Sequence, residues 1–63
     1  MPTYHCHFLD EKATVVRVET FVAPNDLDAR REAITLMTKI GRFSGYELWE
    51  DVRLVDEYMP LKL

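Results

Sequence analysis

The stretch Pro24-Asn-Asp-Leu-Asp-Ala-Arg-Arg-Glu-Ala-Ile-Thr-Leu-Met-Thr-Lys-Ile-Gly41 decides the fold. Pro24 cannot donate to a sheet ladder and drives Ala23 toward extended geometry, so it closes whatever strand precedes it. Asn25 or Asp26 supplies a side-chain oxygen for the orphan amides of a first helical turn. Asp26 and Asp28 add negative charge at the positive end of the helix dipole. At about 100° per residue, Leu27, Ala29, Ala33, Ile34, Leu36, Met37 and Ile40 fan over one half of the helix. Asp28, Arg31, Glu32, Thr35, Thr38 and Lys39 fill the other half. Arg30 falls inside the apolar arc, where its stem can pack while the guanidinium reaches water. Gly41 is the preferred stop; Gly45 is the alternative, with Arg42-Phe43-Ser44 as an extra turn.

Outward from the helix, both flanks read as strands. Thr3–Leu9 alternates with period two: Tyr4, Cys6 and Phe8 point one way, His5, His7 and Leu9 the other. Asp10-Glu-Lys-Ala13 is polar and turn-like but lacks the glycine that would fix a turn type. Thr14–Val22 is rich in β-branched residues, with Arg17, Glu19 and Phe21 alternating against Val16, Val18 and Val22. These two segments predict a hairpin. Gly45–Glu50 and Val52–Tyr58 predict a second. A three-residue loop, Glu50-Asp51-Val52, is preferred over a two-residue loop that would pair Leu48 with Arg53, because it keeps Tyr46, Leu48 and Leu54 on one face and sets Arg53 beside Trp49 as a cation–π pair. Met59–Leu63 reads as a fraying tail with a stop at Pro60.

The expected fold is therefore α+β, a single domain over residues 1–63. Its order is ββαββ: a four-stranded antiparallel sheet in order 2-1-3-4, with one helix packed on one face. One helix covers one side of such a layer. The other side is expected to carry His5, His7, Trp49, Arg53 and Val55, a partly aromatic surface suited to self-association.

Length and charge narrow the function. A chain of 63 residues buries only about 60% of its unfolded surface, so it gains from a staple or a partner. Cys6 is the only cysteine, which excludes an intramolecular disulfide and points to a reducing compartment. The start at Met1 shows no basic-then-apolar leader, and no run reaches the roughly 18 apolar residues of a membrane span. The expectation is a cytoplasmic protein without membrane contact. The formal charge is −3. Glu47, Glu50, Asp51, Asp56 and Glu57 outweigh Arg53 and Lys62 at the C-terminal end. A nucleic-acid binder needs clustered Lys and Arg for phosphates, so this balance disfavours that class.

Few residues carry candidate chemistry. His5 and His7 lie two apart on a strand, both imidazoles facing one way, roughly 7 Å apart at the backbone. That pair is the best metal candidate, yet zinc needs three or four protein ligands. A third would come from Glu47 or from a second subunit. The plainer reading is two histidines on a half-exposed strand face. Cys6 as a nucleophile would need a base beside it; its neighbours His5 and His7 face away, which favours a buried core thiol. Arg30, Arg31 and Arg42 invite phosphate, but Asp28 and Glu32 flank the first two and make a solvated helix face the better reading. Trp49 with Arg53 combines two residue types enriched at interaction hot spots, or forms a stack that packs only within the monomer. No phosphate loop, Cys-x-x-Cys or Ser/His/Asp set is present. One helix and a small sheet enclose a catalytic cleft poorly, so no enzyme and no cofactor is expected.

Three segments resemble a family of short alphaproteobacterial proteins of the rhizobial type: Met1-Pro-Thr-Tyr-His-Cys-His-Phe-Leu-Asp10, Asn25-Asp-Leu-Asp-Ala-Arg-Arg-Glu-Ala33, and Tyr46-Glu-Leu-Trp-Glu-Asp-Val-Arg-Leu-Val55. That family combines an N-terminal strand, an acidic helix cap and a terminal Glu-Leu-Trp-x-x-x-Arg-x-Val pattern. Here Glu47, Leu48, Trp49, Arg53 and Val55 match the pattern. A glycine often follows the tryptophan in the family, where this chain has Glu50-Asp51. The resemblance transfers no catalytic residue. The functional expectation is thus a small protein-interaction module, a homodimer or a binder of another protein, with Trp49, Arg53, His5 and His7 as contact residues. A metal-binding module using His5 and His7, or a weak nucleic-acid binder, is the alternative.

Overall fold

A computed structural model describes residues 1–59; the expected tail with its stop at Pro60 falls mostly on residues 60–63, outside the described part. The elements run β1 (Thr3–Leu9), β2 (Val15–Val22), α1 (Asp26–Ile40), β3 (Gly45–Glu50) and β4 (Arg53–Tyr58). The strands form one antiparallel sheet in order β2-β1-β3-β4, and α1 lies over β1 and β3. The fold is α+β, with the expected strand order.

Local chemistry explains each boundary. In the first loop the Asp10 carboxylate accepts from the amides of Lys12 and Thr14 at 2.8 and 2.9 Å, an Asx turn that does the work of the missing glycine. Those two bonds hold the Asp10 carboxyl below its ordinary range. Ala13 then takes a left-handed conformation, φ 62°. Asn25 is the helix cap, its Oδ1 accepting from the amide of Asp28 at 2.9 Å. Gly41 ends the helix at φ 73°, its amide donating to the Met37 carbonyl at 2.8 Å. Gly45 meets a different constraint: a Cβ there would stand 2.2 Å from the Tyr58 carbonyl oxygen, so only glycine lets β4 close on β3.

The core lies between α1 and the sheet. Tyr4, Cys6, Phe8, Tyr46 and Leu48 rise from β1 and β3 to meet Ala29 and Ala33, while Phe21, Leu36, Met37, Phe43 and Val55 pack at its margins. Phe43 stacks on Phe8 with ring centroids 4.6 Å apart. Small residues at the centre of the helix contact let the backbone approach this aromatic floor. That corrects the helix face read from hydropathy: Leu27 and Ile34 are 54% and 52% exposed.

The second hairpin differs from expectation. Its loop is Asp51-Val52, two residues, with Asp51 left-handed at φ 54° and Glu50 opposite Arg53. Trp49 faces Leu54, not Arg53, and Leu54 leaves the side shared by Tyr46 and Leu48. The pairing then slips between Leu48 and Trp49, setting Asp56 opposite Leu48 and turning Val55 into the core margin. Arg53 and Val55, both expected on the helix-free face, therefore lie on the helix side.

Candidate functional site

The helix-free face is assembled by strand alternation. Thr20 of β2 and Trp49 of β3 flank His5, and Val18 and Glu47 flank His7. Val22, Leu54 and Glu57 extend the same surface toward the two edges. Val18, Val22 and Leu54 are 50%, 59% and 41% exposed, so this side offers apolar atoms to whatever meets it. His5 Nδ1 pairs with Thr20 Oγ1 at 3.1 Å. His7 lies tilted by 36° against Trp49, ring centroids 6.4 Å apart. A shallow hollow of about 360 Å3 is bounded by His5, His7, Trp49, Asp51 and Val52. The Trp49 indole N–H is enclosed and donates to nothing among the described residues. A buried donor left unpaired costs roughly 1–3 kcal/mol, so this edge of the face is poorly satisfied as it stands.

Three of the four expected contact residues, His5, His7 and Trp49, therefore share one surface. The fourth does not join them. Arg53 reaches across to the start of α1, where Nη1 and Nη2 donate to Asp26 Oδ2 and Oδ1 at 3.0 Å each. Its Nε donates to Glu50 Oε1 at 3.1 Å, and Nη2 also contacts that oxygen. The Tyr4 hydroxyl donates to Asp26 Oδ1 at 2.8 Å. Arg53, then Tyr4, hold the Asp26 carboxyl well below its usual range. Burial first, and Asp26 second, push the Tyr4 phenol up to about 12. The guanidinium of Arg53 is itself raised by Asp26 and Glu50. A parallel set ties down the helix one turn further on: Arg30 Nε and the Tyr46 hydroxyl both donate to Asp56 Oδ2, at 3.1 and 2.7 Å. Burial, then Asp56, lift the Tyr46 phenol above its ordinary range.

The remaining candidates separate cleanly. Cys6 lies under the helix on the opposite side of β1 from both histidines, and burial, aided by Glu19, pushes its thiol up to about 12. Among the described residues no group of three His, Cys, Asp or Glu side chains is placed to hold a metal ion. A metal at His5 and His7 would draw its further ligands from elsewhere. Among the same residues, no helix is long and apolar enough to cross a membrane.

Sequence reasoning left Val18, Val22 and Leu54 out of this surface. Alternation alone places the two valines there once β2 pairs with β1. Leu54, and the ion pairs of Arg53 and Arg30, depend on the second hairpin's register and carry no local signal. No family model, no curated protein and no solved structure matches this chain.

Proposed function

We propose that this chain is a small cytoplasmic protein-interaction module, self-associating and without catalytic activity, of the short alphaproteobacterial kind it resembles. The helix-free side of the sheet supports this reading most directly: Val18 and Val22 at the β2 edge and Leu54 beside Trp49 are half exposed on it. The inert thiol of Cys6 and the mutual neutralisation of Arg53, Asp26 and Glu50 leave little for chemistry.

Size sets the strength of the contact. Four strands about 4.8 Å apart and six residues long make a layer of roughly 400 Å2. A standard stable interface removes about 800 Å2 from each partner. The flat face alone thus gives a weak, reversible contact, and a tighter one draws on its borders as well. Sedimentation velocity over a wide concentration range tests the reading. A reversible dimer is expected in the micromolar range; a strict monomer at millimolar concentration overturns self-association.

A further inference from the structure

The two edges of the sheet are unequal. β4 is bent by the Val55 irregularity and carries Asp56 and Glu57 in succession, so a second β4 laid against it would meet like charge. β2 is the longer strand, Val-Val-Arg-Val-Glu-Thr-Phe-Val from Val15 to Val22, with no proline and a β-branched majority. Its register slips only at the start, where β1 passes from Phe8 to Leu9. The helix lies over β1 and β3, and six of the eight residues of β2 are exposed. Natural edges of this kind are shielded by lysine, proline or a covering element. Here the charges on the helix side are Arg17 and Glu19, joined to each other at 2.7 Å.

We propose that two copies of this chain join edge to edge through β2, antiparallel and centred on Val18, so that Arg17 of each copy faces Glu19 of the other. The proposal rests on the self-association reading above, moves its contact from the helix-free face to the β2 edge of the sheet, and names its partner and register. Charge complementarity selects the register. In an antiparallel pair the residues opposite one another share a face, so only centres on a residue keep the apolar side continuous. A centre on Arg17 sets arginine against arginine; a centre on Glu19 sets glutamate against glutamate. The centre on Val18 makes an alternating ring of two arginines and two glutamates on the helix side. It also places Val18 against Val18 on the other side. The product is an eight-stranded sheet with both helices on one side and a doubled helix-free face that remains open to another protein.

The full chain and its charge variants test this by sedimentation equilibrium. Arg17→Glu and Glu19→Arg each weaken the homodimer by about tenfold, because each sets like charges opposite one another at both ends of the ring. The double variant Arg17→Glu/Glu19→Arg restores it. An equimolar mixture of the two single variants associates as a heterodimer, since every facing pair is then unlike. Circular dichroism confirms that the variants are folded, and the double variant and the mixture keep the test informative if a single variant is not. Emission from Trp49, which lies two strands from the pairing edge, stays constant with concentration. A dimer indifferent to all these charges, a blue shift of Trp49 on association, or assembly beyond the dimer overturns the edge pairing while leaving self-association standing. A strict monomer removes both.

Discussion

β4 and β2 are both edge strands of the same sheet, and they are held in opposite ways. β4 is bolted to the helix by Arg53 to Asp26 at its start and Asp56 to Arg30 in its middle, and Asp56 also accepts from Tyr46 of β3. β2 touches the core through Phe21, which stacks on Tyr4 with centroids 6.1 Å apart, and exposes its valines. The helix lies over β1 and β3, where its small residues, Ala29 and Ala33, seat on the aromatic floor, and its half-exposed Arg30 reaches Asp56 on the β4 side. A single helix is too narrow to cover four strands. Where it sits decides which edge is finished within the monomer and which is left for an encounter.

The sharpest way to test that asymmetry is truncation. Leu48→Ala opens a cavity in the fully buried zone and should cost about 3 kcal/mol in a urea melt. Val18→Ala on half-exposed β2 should cost under about 0.5 kcal/mol when measured as a dilute monomer. Equal losses would show that β2 belongs to the core after all. Next in size is Gly45→Ala. Its added methyl collides with the Tyr58 carbonyl and should cost about 2 kcal/mol, with amide exchange quickening along β4 while β2 is unchanged.

Smaller is the pH response of the helix–β4 clamp, since Arg53 and Asp26 are half exposed and water screens them. Asp26 has a lowered folded value, so its stabilisation is present above the unfolded carboxyl range near 4 and lost as pH falls through the folded one. Tyr4 is raised to about 12. Its stabilisation is complete below the unfolded phenol value near 10 and lost as pH rises toward the folded one. Thermal melts should therefore plateau between those limits, and Asp26→Asn should flatten the acid limb. A small gain belongs to the loop that leads into β2. Ala13→Gly relieves a left-handed alanine in the first loop and should raise stability by about 0.5 kcal/mol.

Much of this comparison could be read from residue order. Alternation along Tyr4, Cys6 and Phe8 marked the buried side of β1, the Asn25-Asp26 pair marked the helix start and Gly41 its preferred stop, because each is a short-range effect. The strand order followed from two hairpins joined by one helix. The β3–β4 register did not follow, because it turns on a left-handed Asp51 and an extra residue near Val55, both set by what β4 packs against. One slip carried Arg53 from the presumed contact surface into the helix clamp, and Leu54 the other way. The helix face was misjudged for a similar reason: hydropathy weights Leu27 and Ile34, whereas close approach to rings favours Ala29 and Ala33.

Cys6 gives the chain a built-in clock. Its sulfur is fully enclosed and stays protonated at any ordinary pH, so the folded protein offers nothing to an alkylating reagent. Modification must wait for the helix to lift from β1. The rate at which iodoacetamide or a disulfide reagent consumes this thiol then counts openings of the interior, without any engineered probe.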